Sequence, residues 1–180
     1  MEEIRLYSAK SLPKEQVMQF RQDFFSAGER SINGSRGLHH YEKHEDWLGL
    51  LEECEKPNNT KIGVQTDTYL AVRTADNKII GCIEFRHTLN EALAVIGGHI
   101  GYSVAPAERR KGYATEMLRQ VLVEAKAIGL HKVLLTCDTD NIASCKTIER
   151  CEGYKEQDEP FVLEEEVFYR YWIELEKNDA

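Results

Sequence analysis

Arg109, Arg110 and Lys111 stand directly before Gly112-Tyr113-Ala114-Thr115, a few residues after Val104-Ala105-Pro106. Three cations and a glycine at the head of a long amphipathic segment are groups that can hold an anion. The first N–H groups of a helix have no internal partner and carry partial positive charge. Gly112 lets the backbone come close to a ligand, and the small Ala114 leaves room for a bulky one. These are the parts of a pyrophosphate site at a helix N-terminus. A solvated basic helix start has the same composition. The run lacks the GxxxxGK-Ser/Thr pattern of a nucleotide loop and the GxGxxG of a dinucleotide fingerprint.

Regular elements on both sides must position this turn. Upstream, the third strand of a strand-rich block is expected over residues 94–104, with Gly97, Gly98 and Gly101 marking a bulge or a close approach. Before it, residues 68–73 and 79–86 read as a hairpin around the turn 75–78. Downstream, Ala114, Met117, Leu118, Val121, Leu122, Ala125 and Ile128 recur at steps of three and four, predicting a helix that Gly129 ends. A strand is expected over 132–137, and a helix over 141–151 with Asn141 as cap. Strands near 154–157 and 167–175 close the chain. At the other end, a weak strand over 4–8 precedes a helix carrying Val17, Phe20 and Phe24. A Gly/Ser/Asn-rich loop over 28–37 leads to a helix over 41–55 with Trp47, Leu50, Leu51 and Cys54 on one stripe. The order predicts one α/β domain over residues 1–180 with a mixed sheet, in which the strands flanking the long helix are joined by a right-handed parallel crossover.

Composition narrows the partners. With 42% hydrophobic residues, the 180-residue chain can fill one core. Its 31 acidic residues against 23 basic ones give a net charge of −8, which argues against nucleic acid and leans towards a small cationic ligand. Charge that only keeps the protein soluble reads the same way. Cys54, Cys82, Cys137, Cys145 and Cys151 show no CxxC spacing, so neither a disulfide framework nor a zinc site is expected. His40 and His44 are four apart but lack a third ligand, so no metal is expected. The start of the chain shows no signal-peptide pattern, and no run of about 18 apolar residues occurs. The expectation is a cytoplasmic protein that does not enter the membrane.

The stretch from Val104 to Thr115 resembles motif A of the GNAT superfamily of N-acetyltransferases. That motif has the form Gln/Arg-x-x-Gly-x-Gly/Ala, here Arg109, Gly112 and Ala114, preceded by Val-x-Pro. Asn141-Ile142-Ala143-Ser144, followed by Glu149-Arg150 and Gly153-Tyr154, matches a second segment of the family. The likeness extends in order over residues 68–175. It implies a single-domain fold with a mostly antiparallel sheet of about six or seven strands, a splayed central pair and about four flanking helices.

The resemblance also implies roles. The splay leaves a wedge for the pantetheine arm of acetyl-CoA, bound along Tyr102, Ser103 and Val104. An N–H near Val104 would polarise the thioester carbonyl. Arg109 belongs to the motif, and the N–H groups of Arg110, Lys111, Gly112, Tyr113, Ala114 and Thr115 would hold the pyrophosphate. Asn141 and Ser144 would contact the arm near its sulfur, as well as serving their own helix end. An amine acceptor must lose a proton before attack; Glu84 and His99 are candidates to take it, and His87 lies at a strand end. Glu84 equally reads as a solvent-facing strand residue and His99 as a hydrogen-bonded one. The loop Gly34-Ser35-Arg36-Gly37 would line the acceptor site or serve as a plain connector.

One departure bears on mechanism. Many family members place a tyrosine seven residues after the motif asparagine as general acid, where this chain has Ile148. Ser144, Tyr154 or water are the substitutes. Cys145 as a nucleophile is rejected, because direct amine attack on a thioester needs none. The reading is transfer of acetyl to a primary amine, on a small molecule or a peptide, in a ternary complex. The resemblance also implies that the strand-rich C-terminus would support a homodimer. The competing reading is a domain that binds acyl-CoA as a sensor without turnover.

Overall fold

The computed structural model describes residues 1–175. In chain order it contains β1 (Ile4–Ser8), α1 (Lys14–Ser26), α2 (His44–Cys54), β2 (Thr66–Arg73), β3 (Lys78–Arg86), α3 (Glu91–Val95), β4 (Ile100–Val104), α4 (Tyr113–Ala127), β5 (Lys132–Asp138), α5 (Ile142–Arg150), β6 (Tyr154–Lys155), β7 (Phe161–Leu163) and β8 (Glu166–Glu174). Two four-stranded sheets result. One has the order β1-β2-β3-β4; in the other, β8 pairs with β5, β6 and β7. Every ladder between named strands is antiparallel.

Local chemistry accounts for the differences from the sequence expectation. The strand expected over 94–104 is shorter. The Asn90 side chain accepts the Leu93 N–H at 2.9 Å and starts α3, a fifth helix. Gly97 and Gly98 then take φ of 103° and 63°, which breaks any ladder until Ile100. The strand count reaches eight because β6 and β7 are fragments of two and three residues laid against β8. The helix expected from residue 41 begins at His44, since Tyr41 is extended after a single 3₁₀ turn.

Two cores lie on opposite faces of the first sheet. On one face Ile83, Phe85, Ile100 and Val104 pack with Met117, Leu118 and Val121 of α4 and continue to Val133, Leu135, Ile148 and Tyr171. On the other, Leu70, Val72, Ile79 and Cys82 pack with Val17, Phe20 and Phe24 of α1 and Trp47 and Leu51 of α2. Every residue of β3 after Lys78 is therefore buried. Alternation along one strand would leave one face in water; here both are covered.

The parallel pairing expected between β4 and β5 does not form. The two strands share one isolated bridge, Gly98 to Leu135. Next to it, the His99 N–H reaches the Leu134 carbonyl at 2.7 Å, and the Leu134 N–H is taken by Nδ1 of His99 at 2.9 Å. An imidazole fills the position of a ladder carbonyl, so the ladder stops. Beyond it β4 and β5 do not pair, and α4 connects the end of β4 at Val104 to the start of β5 at Lys132.

The loop over residues 28–37 lies directly on β4. A methyl on Gly34 would come within 2.3 Å of the Gly101 carbonyl oxygen, and Gly34 has φ of +76°. Backbone meets backbone there, with no space for a side chain. Gly34→Ala is expected to cost about 3 kcal/mol or more in a urea unfolding titration, combining left-handed strain with a clash that backbone must absorb. Gly28→Ala, at φ +82° with nothing within 4 Å, is the control and should cost only about 1 kcal/mol.

Candidate active site

The basic turn is built on left-handed backbone. Arg110 has φ of 62° and Gly112 of 87°. Gly112 caps α4 without a side-chain acceptor, and the first N–H of the helix to find a carbonyl is that of Glu116, on Gly112 at 3.2 Å. The N–H groups of Tyr113, Ala114 and Thr115 precede it and point out of the helix end. The Tyr113 ring itself is buried in the core, so the backbone is what that residue offers the turn.

The basic side chains are less available than the sequence implies. Arg109 makes a two-pronged pair with Glu29 at 2.6 and 2.8 Å, and its Nε donates to the Val104 carbonyl at 3.0 Å. Lys111 is tied to Glu108 at 2.8 Å. Glu108 also receives Arg73 and Lys78. Burial works to raise its carboxyl, but hydrogen bonds from Lys111, Arg73 and Lys78 prevail and hold it at about 2. Arg110 is the one cation of the three with no such partner among the described residues. The positive character of the turn therefore rests on N–H groups and one guanidinium.

Beside this turn runs the open edge of β4. The Ala105 N–H bonds to Ile80 and the Arg86 N–H to His99, which fixes the parity of the β3–β4 ladder. Backbone groups of Gly101 and Ser103 face β3, and those of Tyr102 and Val104 face the gap. Arg109 covers the Val104 carbonyl. The Val104 N–H and both backbone groups of Tyr102 remain towards the gap. On its far side stands the first turn of α5, where Asn141 Oδ1 accepts the Ser144 N–H at 3.1 Å. The Tyr102 hydroxyl crosses to this turn and lies 2.9 Å from the Ser144 hydroxyl. Ile148, one turn further on, is buried against Gly153 and presents no polar group.

On the opposite face of β4 lies a buried ion cluster. Glu84 sits across from Gly101, with 3% of its surface exposed, so it does not face solvent. The Arg86 guanidinium bonds to one of its oxygens and also to the Gly97 and Gly98 carbonyls. Arg36, at φ of 50°, brings its Nε to 3.1 Å from the other oxygen. Two guanidiniums surround one carboxylate. Arg86 was missed by sequence reasoning, although its i, i+2 spacing from Glu84 puts both on one face of the strand. His99 is buried, and its Nδ1 is occupied by Leu134; desolvation pushes its pKa down to about 4. It holds strands together rather than standing free.

Other candidates are dispersed. His87 pairs with Asp67 at 2.7 Å, and the Tyr154 hydroxyl bonds to Glu174 at 2.6 Å on the surface of the second sheet. Cys137 and Cys145 touch at 3.0 Å, buried between β5 and α5. No group of three potential metal ligands occurs among the described residues. None of their helices is long and apolar enough to cross a membrane.

Comparison with known proteins bears on this geometry. The model of the acetyltransferase (GNAT) domain matches residues 14–153. No curated protein sequence matches the chain. Similar solved structures include a putative phosphinothricin N-acetyltransferase, at TM-score 0.61 and 15% identity, covering 97% of this chain and 100% of the other. A spermidine N-acetyltransferase from Vibrio cholerae, in complex with CoA and spermine, gives 0.61 and 16%, covering 96% and 95%. A putative acetyltransferase from Salmonella typhimurium with its cofactor acetyl-CoA gives 0.59 and 15%, covering 98% and 96%. The chain belongs to the GNAT acetyltransferases, and the class of enzyme this defines is an N-acetyltransferase.

His99 makes stability depend on pH in a defined window. Its pKa is about 4 folded against 6.5 unfolded, so between these values the unfolded chain binds more protons. Stability should fall as pH drops from 6.5 to 4, by up to roughly 3 kcal/mol. His39 and His44, both lowered by burial, act in the same direction. Glu108 and Asp76, held at about 2, act below pH 4.5 instead. His99→Gln keeps an acceptor for Leu134 but does not titrate. Urea midpoints measured across pH 4–7 should decline less steeply in this variant.

Proposed function

We propose that the protein transfers the acetyl group of acetyl-CoA to a primary amine by direct attack within a ternary complex. The observation that carries this reading is the junction of two unfilled features. The open β4 edge at Tyr102 and Val104 leads straight to the uncapped first turn of α4. A pantetheine arm would pair along the edge as an extra strand, and the pyrophosphate would take the N–H groups from Arg110 to Thr115. An N–H facing the gap, that of Val104 or Tyr102, would receive the thioester oxygen as it gains charge. Asn141 and Ser144 would meet the arm across the gap. The CoA and acetyl-CoA held by similar solved structures support the cofactor.

The amine would approach from the gap side of β4, because the loop that carries Arg36 closes the Glu84 side. Such amines have a pKa of about 10 and must be deprotonated to attack. Glu84, through water, is the group we assign to that proton. His99 is the weaker candidate, since its Nδ1 already holds Leu134. The acceptor is a small-molecule amine, a class to which the spermidine named in similar structures also belongs. The second reading, an acyl-CoA sensor without turnover, is favoured by Ile148 at the position of the family's acid.

Calorimetric titration with acetyl-CoA, CoA and ATP tests the cofactor. Micromolar binding of acetyl-CoA is expected, unmatched by ATP, and weakened at least a hundredfold in Gly112→Asp, whose carboxylate would face the pyrophosphate. Thiol release in the presence of an amine panel then separates enzyme from sensor. Absence of acetyl-CoA binding would overturn the proposal.

A further inference from the structure

All five cysteines are buried, but two of them touch. The Cys137 sulfur on β5 lies 3.0 Å from the Cys145 sulfur in the first turn of α5. Other sulfurs face carbonyls instead: Cys82 Sγ donates to Asn33, and Cys151 Sγ to Thr115. Acetyl transfer by direct attack uses neither member of the touching pair. A disulfide holds its sulfurs about 2 Å apart, so this pair closes with a shift of about 1 Å. We infer that Cys137 and Cys145 are an oxidation site: peroxide joins them in a disulfide, which draws the first turn of α5 onto β5 and weakens the acetyl-CoA site. The effect on binding rests on the acetyl-CoA reading above; the disulfide itself does not.

The helix end is the part that moves. Cys137 pairs with Tyr169 in the ladder that ties β5 to β8 from Lys132 to Asp138. The first turn of α5 is held less firmly. Asn141, Ile142 and Ala143 are exposed, and the Asn141 side chain caps the turn through the Ser144 N–H at 3.1 Å. Cys137 and Cys145 keep 5% and 8% of their surface open beneath it. Opening of this one exposed turn uncovers both sulfurs to a small oxidant. Ser144 is the neighbour of Cys145 in sequence, and its hydroxyl meets that of Tyr102 across the gap. A pull on Cys145 therefore carries Ser144 with it and reshapes the wall that faces the β4 edge.

The two sulfurs have different parts in the step. Burial, and then the neighbouring Cys145 sulfur, push the Cys137 thiol up to about 12. The Asp138 and Asn141 carbonyls, each 3.4 Å from its sulfur, stand ready to accept its hydrogen. Cys137 thus stays protonated, and Cys145 is the sulfur that attacks. Its electron pair takes one peroxide oxygen, the O–O bond breaks, and Cys145 becomes a sulfenic acid as the first water leaves. The Cys137 sulfur then displaces the sulfenic hydroxyl, which departs with the Cys137 proton as the second water. The two thiols lose two electrons and two protons, and one peroxide is reduced to two waters.

Trypsin releases both cysteines, and no other, in one peptide, Val133–Lys146. After the full chain is treated with hydrogen peroxide, mass spectrometry should find this peptide two hydrogens lighter, and dithiothreitol should restore it. Cys137→Ser should stop at the sulfenic acid and take a dimedone label at Cys145, whereas Cys145→Ser should take none at Cys137. By calorimetry, the Kd for acetyl-CoA should rise at least tenfold in the oxidised wild type and return on reduction. Cys151→Ser should respond as the wild type does. An unchanged peptide mass overturns the inference. So does a disulfide that leaves the Kd within about threefold of its reduced value. If the reduced protein binds no acetyl-CoA, the cofactor reading falls together with the expected loss of affinity, and the peptide mass still confirms or rejects the oxidation site.

Discussion

Strands β4 and β5 are joined at one end because the imidazole of His99 takes the Leu134 N–H, where a backbone carbonyl would have continued the ladder. An unpaired N–H at this depth would cost about 1–3 kcal/mol, so the ring is a requirement of the splay and not an ornament to it. The ring must be neutral to accept, and desolvation keeps it so. Arg86 secures the same corner by holding the carbonyls of Gly97 and Gly98, which left-handed backbone has turned out of any sheet. The gap that results gives β4 a free edge, and α4 brings its first turn to the end of that edge.

The turn proposed to hold the pyrophosphate is built by subtraction. Two of its three cations are already paired with Glu29 and Glu108, and the protein as a whole carries −8. What the turn offers an anion is a set of N–H groups that neither a cap nor a carbonyl satisfies. Fixed dipoles of this kind need no reordering when a ligand arrives, unlike long, mobile lysines. The paired cations hold the turn in shape: Arg109 links Val104 to Glu29, and Lys111 folds back onto Glu108.

The parts of this site that depend on nearby residues were legible in the sequence. Gly112 at the head of an amphipathic run marks the start of α4, and Asn141 three residues before Ser144 marks a capped helix. The two-sided burial of Glu84 was not legible, because it depends on α1, α2 and the loop over residues 28–37 folding back over a strand distant in sequence. The same is true of His99, whose partner is 35 residues away, and of the side chain of Tyr102. The motif suggests a backbone role for it, but nothing local announces the reach of its hydroxyl to Ser144. The fifth helix was hidden for another reason. Five residues are too few for a period, and the glycines that follow suggested a bulge more readily than a helix end.

The edge of β4 also bears on how the protein behaves in a concentrated solution. An unpaired strand edge is a template on which another chain can add, and proteins usually blunt such edges with charge, shortness or cover. All three operate here. The strand has five residues, Arg109 covers the carbonyl of Val104 with its charge, and the Tyr102 hydroxyl bridges to the first turn of α5. An edge this short and this closely faced offers another strand few backbone groups to pair with, so the protein carries an open edge without presenting a long template for aggregation.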